Sequence, residues 1–118
     1  MLLAGLAGFL GVGLGAFGAH GLRSRLSPDM LAVFETAVRY QMYHALALLL
    51  TAAAIGRIGD ARLLVIAGWF FVAGIVLFSG SLYALALTGV SMLGAITPIG
   101  GLAFLIGWAC LAVFAALR

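Results

Sequence analysis

The sequence predicts an all-α, polytopic membrane protein: a four-transmembrane-helix bundle with a short amphipathic interfacial helix between spans one and two. Three observations carry this. Of 118 residues, 66% are hydrophobic and only 8% charged, against about 25% charged in soluble domains. A water-soluble fold this short buries only part of the surface its chain exposes, and has no room for so much apolar area. Residues 1–22, 40–56 and 63–117 contain no Asp, Glu, Lys or Arg, and a spanning helix needs ~20 apolar residues to cross ~30 Å of hydrocarbon. The whole chain, 1–118, reads as a single membrane domain.

Span one is expected over about 2–20. Gly5, Gly8, Gly11, Gly15 and Gly18 step by three, three, four and three, which puts them on one helical face. In water so many glycines would oppose a helix, but in lipid the backbone must bond to itself and the helix persists. A smooth glycine face is a helix-packing face, either within the chain or between copies. No Lys or Arg precedes Leu2, so residues 2–19 read as a span rather than a secretory signal.

Residues 20–27 leave the membrane. Ser27, Pro28 and Asp29 form a helix start: Ser27 as N-cap, Pro28 at the first position, Asp29 in the first turn. From there a helical pattern runs to about Ile55. Its first part is amphipathic, with Asp29, Glu35, Thr36, Arg39, Tyr40 and Tyr43 on one side and Met30, Leu31, Phe34, Ala37 and Met42 on the other. Two geometries fit: one long helix, or an interfacial helix at about 28–38, a bend near Tyr40 and span two at about 40–56. The second is the expectation, because it keeps Asp29, Glu35 and Arg39 out of hydrocarbon, although no Pro or Gly marks the bend.

Residues 56–62, Gly-Arg-Ile-Gly-Asp-Ala-Arg, including Asp60, form a charged turn. Span three follows over about 63–87, with Ser79, Ser81 and Tyr83 as candidates for hydrogen bonds between helices. Residues 88–98 are an uncharged loop, in which Thr97 is expected to cap a helix that has Pro98 at its first position. Span four covers about 98–117. With four spans both termini share one side. Arg57, Arg62 and Arg118 lie there, against Arg23, Arg25 and Arg39 on the other, so the positive-inside count is nearly tied. Both termini are expected in the cytoplasm, and the membrane is expected to be a bacterial inner (plasma) membrane.

Net charge is +3, from six Arg and no Lys. The arginines are scattered without a basic aromatic patch, which argues against nucleic acid and fits helix ends among lipid head groups. Membrane lipids are therefore expected partners, with a membrane-protein partner or a second copy of the chain also open. Cys110 stands alone, which excludes an intrachain disulfide.

The candidate functional cluster is His20, Glu35, Arg39, Tyr40, Tyr43 and His44, where the polar side chains concentrate. Glu35 and Arg39 stand four apart with the acid first, the favourable order for an intrahelical pair. His20 and His44 invite a haem reading, two imidazoles on separate helices clamping one iron; that requires similar depths. No zinc spacing, nucleophile elbow or phosphate loop is present. No catalytic residue, metal or cofactor is expected, and the chain does not read as an enzyme.

Two segments resemble one family: Gly15-Ala16-Phe17-Gly18-Ala19-His20-Gly21-Leu22 and Phe34-Glu35-Thr36-Ala37-Val38-Arg39-Tyr40-Gln41-Met42-Tyr43-His44-Ala45. They are similar to the YgdD/YwdK family of small membrane proteins, classed as a domain of unknown function, with small transmembrane relatives in eukaryotes. The resemblance covers essentially the whole chain. It implies a four-span inner-membrane protein and brings no established activity, cofactor or catalytic residue.

The expected function is therefore that of a non-catalytic membrane component, an accessory, assembly or lipid-organising factor. One alternative is a small dimeric transporter or channel, in which Glu35 would have to face an aqueous cavity. Another is a lipid, quinone or haem binder built on the 20–44 cluster.

Overall fold

A computed structural model describes residues 1–59 and 61–118; Asp60, in the charged turn, lies outside the described residues. Among the described residues the secondary structure is entirely helical. Four α-helices follow one another: α1 (Leu2–His20), α2 (Pro28–Ile58), α3 (Arg62–Thr88) and α4 (Thr97–Ala116). Three stretches, Leu2–His20, Arg62–Thr88 and Ser91–Ala116, are long and apolar enough to cross a membrane.

Helix α2 starts as its sequence dictates. Ser27 accepts a hydrogen bond from the Met30 N–H at 3.2 Å, Pro28 stands at the first position and Asp29 in the first turn. It then continues for 31 residues to Ile58. The separate interfacial helix at 28–38, the bend near Tyr40 and a second span beginning at 40 are therefore corrected to one unbroken helix. The physical reason is local. No Pro or Gly interrupts residues 29–55, so nothing breaks the i→i−4 ladder. Glu35 and Arg39 escape burial by facing outward, without a bend.

Helix α3 holds a π-helical turn, Ile75–Ser79, and ends at Gly89, whose φ of +71° suits a residue without Cβ. A 3-10 turn, Ser91–Ala95, lies within the uncharged loop. Helix α4 has Ile96 at its N-cap position and no side-chain cap. The expected cap by Thr97 is thus corrected: its hydroxyl meets the Ser81 hydroxyl at 2.7 Å instead, a bond between helices that replaces a local one.

Packing is built on close approach. A Cβ added to Gly15 would lie 3.2 Å from Val38 Cγ1, one on Gly18 2.9 Å from the Phe34 ring, and one on Gly11 3.2 Å from Met42 Cγ. These contacts run down α1 as they run up α2, so the two helices are antiparallel. Gly5 and Gly8 meet nothing within 4 Å, so the contact with α2 uses only the later part of the glycine face. Helices α3 and α4 pair in the same way. A Cβ on Gly107 would lie 2.7 Å from the Phe71 ring, and one on Gly100 2.7 Å from Phe78 Cα. The core joins Ala4 of α1, Ala47 and Leu48 of α2, Ala67 and Phe71 of α3, and Phe104 of α4. The outward surface is apolar too: Phe9 is 77% exposed and Leu2 76%.

Candidate functional site

Helix α2 separates its polar residues onto two faces. Gln41, His44 and Thr51 turn inward and are buried. Glu35, Arg39 and Tyr43 turn outward. Residues 41, 44, 48 and 51 repeat at helical spacing, which is why they share the inner stripe.

Each inward polar group has a partner. Tyr83 of α3 donates to Gln41 Oε1 at 2.6 Å, and Gln41 Nε2 donates to the Ala7 carbonyl of α1 at 2.8 Å. One glutamine thus ties three helices together. Ser79, fully buried, donates to the Ala37 carbonyl of α2 at 2.7 Å. Its position within the π turn points the hydroxyl across to α2. Thr51 donates to the Ala47 carbonyl, and Ser81 to the Phe78 carbonyl. Among the described residues no buried side-chain N or O atom lacks a partner.

His44 is held at both nitrogens. Nδ1 lies 2.7 Å from the Tyr40 carbonyl, which only accepts, so Nδ1 carries the proton. Nε2 is then an acceptor, and the Trp108 indole N–H of α4 donates to it at 3.2 Å. The ring stacks on Phe104, with centroids 3.5 Å apart and planes 8° from parallel. This is a neutral imidazole built into an aromatic seam with Phe71, Phe104 and Trp108. It offers no free lone pair to a metal.

The six residues of the sequence-predicted cluster do not converge. His20 stands exposed at the end of α1. From the Gly18–Phe34 and Gly11–Met42 contacts, roughly twelve residues of helix separate it from His44 along the axis, about 18 Å. The two histidines cannot clamp one iron. Glu35 and Arg39 pair across 3.8 Å with side chains 50% and 64% exposed. Glu35 therefore lies on the outer face, half exposed, and not in an enclosed cavity. Tyr40 packs on Phe78 at 4.6 Å, and Tyr43 touches Tyr40 edge-on. Among the described residues no three His, Cys, Asp or Glu side chains gather as for a metal ion.

Outside that cluster the structure adds Gln41, Ser79, Tyr83, Thr97 and Trp108. Ser79, Ser81 and Tyr83 carried a sequence signal, hydroxyls in an otherwise apolar span; the Gln41 and Trp108 partnerships, across 42 and 64 residues, carried none.

The chain matches the family described as Protein of unknown function (DUF423) over residues 14–101. It is 49% identical over 115 residues to UPF0382 membrane protein YwdK of Bacillus subtilis (strain 168), covering 98% of this chain and 94% of that protein. It is 50% identical over 115 residues to UPF0382 membrane protein SAB0533 of Staphylococcus aureus (strain bovine RF122 / ET3-1), covering 96% and 91%. The same figures hold for UPF0382 membrane protein SH2409 of Staphylococcus haemolyticus (strain JCSC1435). No solved structure matches significantly.

Proposed function

This chain belongs to the family of proteins of unknown function DUF423, and on that premise we propose that it is a non-catalytic membrane component, an accessory, assembly or lipid-organising factor, working through the outer faces of a four-span helical bundle. It is an integral membrane protein; the bacterial inner membrane is the setting proposed for it, with residues 1–118 as one membrane domain.

The fourth span is α2. Its 31 residues reach about 46 Å, well beyond ~30 Å of hydrocarbon. It is less apolar than the other three because it carries Asp29, Glu35, Arg39 and Arg57 as well as Gln41, His44 and Thr51, and the last three are turned inward and hydrogen-bonded. Glu35 and Arg39 lie toward the α1 C-terminal end, where a long side chain reaches the head groups.

One observation carries the functional reading: the buried polar side chains, Gln41, His44, Thr51, Ser79 and Ser81, are all committed to partners within the chain. Polar groups inside a membrane protein usually mark function. Here Gln41, His44, Ser79 and Ser81 fasten helix to helix while Thr51 bonds back into its own helix, which leaves the outer faces to meet lipid, another protein or a second copy.

The test is extraction with native lipid and no added detergent, followed by mass spectrometry and a visible absorption spectrum. A companion protein or lipid held at fixed ratio, and still held by Ser79→Ala, is the expected result. A solitary protein surrounded by bulk lipid contradicts the reading.

A further inference from the structure

A groove of about 210 Å³ runs along the outer surface between α1 and α2, lined by Gly15, Gly18, Phe34, Glu35, Val38 and Arg39. Its walls are of two kinds. Gly15, Gly18, Phe34 and Val38 form an apolar floor, to which the two glycines present no side chain. Glu35 and Arg39 form a charged rim. Gly18 is two residues from the end of α1 at His20, so the groove opens where that span meets the head-group layer.

The rim pair is loose. Arg39 Nη2 stands 3.8 Å from Glu35 Oε2, about 1 Å longer than a charge-assisted hydrogen bond. Both side chains are at least half exposed. The carboxylate keeps acceptor sites free, and the guanidinium keeps most of its five donors. A ligand that matches this rim carries a cation for Glu35 and an oxyanion for Arg39, a few ångströms apart, with a hydrocarbon tail for the floor.

We infer that the α1–α2 groove is a phospholipid site with a preference for phosphatidylethanolamine: the phosphate on Arg39, the primary ammonium on Glu35, and one acyl chain along Gly15, Gly18, Phe34 and Val38. Charge complementarity selects the head group. Phosphatidylglycerol offers the phosphate but brings no cation to Glu35. Phosphatidylcholine brings a cation without N–H donors. This site deepens the outward-facing reading and rests on it.

The probe is the purified full-length protein in nanodiscs made from an equimolar mixture of phosphatidylethanolamine, phosphatidylglycerol and phosphatidylcholine. Lipid that stays bound after release into mild detergent is counted by native mass spectrometry. The wild type is expected to retain phosphatidylethanolamine about threefold over each of the others, the scale of a half-exposed ion pair. Glu35→Gln is expected to lose the preference over phosphatidylglycerol while retaining lipid. Arg39→Gln loses retention of all three, and Arg39→Lys restores part of it. Free phosphoethanolamine, which lacks the chain, is expected not to compete; if it does compete, the apolar floor is not part of the site. A wild type that retains phosphatidylglycerol best, or all three alike, overturns the proposal even if every variant misfolds. A protein with a fixed companion protein but no head-group preference overturns the lipid site alone and leaves the accessory reading standing.

Discussion

The Tyr83 hydroxyl donates to Gln41 Oε1 across 2.6 Å, joining α3 to α2 at residues 42 positions apart in sequence. Gln41 passes the connection to the Ala7 carbonyl of α1. Tyr83→Phe keeps the ring against Phe34, 5.0 Å between centroids, and leaves Gln41 Oε1 without its donor. The expected cost is about 1 kcal/mol, within the range of interhelical bonds in membranes. Unfolding of the variant by denaturing detergent in mixed micelles measures it. In a double-mutant cycle with Gln41→Leu the two losses are expected to be less than additive.

His44 and Trp108 form the second fastener. Trp108→Phe strands His44 Nε2 inside the aromatic seam and is expected to cost ~1 kcal/mol. Adding His44→Phe removes the stranded acceptor together with its donor. The Tyr40 carbonyl keeps its helical partner, so the double variant is expected to recover much of the loss. The same unfolding assay reads both, and a double variant less stable than the sum of the singles would contradict the assignment.

Gly100 and Gly80 make a matched pair. A Cβ on Gly100 falls against the Phe78 backbone, 2.7 Å from its Cα, whereas one on Gly80 meets nothing within 4 Å. Gly100→Ala must push α4 away from the π turn and is expected to cost roughly 3 kcal/mol, the upper end of overpacking effects. Gly80→Ala is expected to be neutral or to stabilise by up to ~1 kcal/mol through lower backbone entropy of the unfolded chain.

The α2 N-terminus gives a local test. Ser27→Ala removes the bond to the Met30 amide and is expected to cost ~1 kcal/mol. Hydrogen exchange should quicken at Met30 and in the first turn of α2, with no change in α4.

Much of this architecture is legible from residues alone. Spans one, three and four follow from uncharged stretches of lipid length, and Ser27-Pro28-Asp29 marks the start of α2 by cap chemistry. The continuity of α2 is harder to read. Asp29, Glu35 and Arg39 suggest an interfacial segment, and only the packed α1 neighbour reveals that the charges can face out while the helix continues. The π turn at Ile75–Ser79 has no residue signature; its Phe78 lies against Gly100 and its Ser79 bonds to the Ala37 carbonyl, contacts distant in sequence. Thr97 followed by Pro98 looks like a cap, but a hydroxyl on a neighbouring helix, Ser81, wins it. The polar cluster at 20–44 is compact in sequence and divided in space, because a helix distributes neighbours around its axis. Its inner members are fasteners and its outer members stand exposed on the surface of the helices.

The most direct test of the central claim, a fourth span whose polar face is turned inward, is a cysteine accessibility scan of α2 in a Cys110→Ala background. Asp29→Cys and Ile58→Cys probe exposed positions at its two ends, and near its middle Leu46→Cys probes an exposed position and Ala45→Cys a buried one. With a membrane-impermeant maleimide on sealed vesicles, labelling is expected at 29 and 58 from opposite sides and at neither 45 nor 46. Labelling of both ends from the same side, or of position 45 from water, would contradict it.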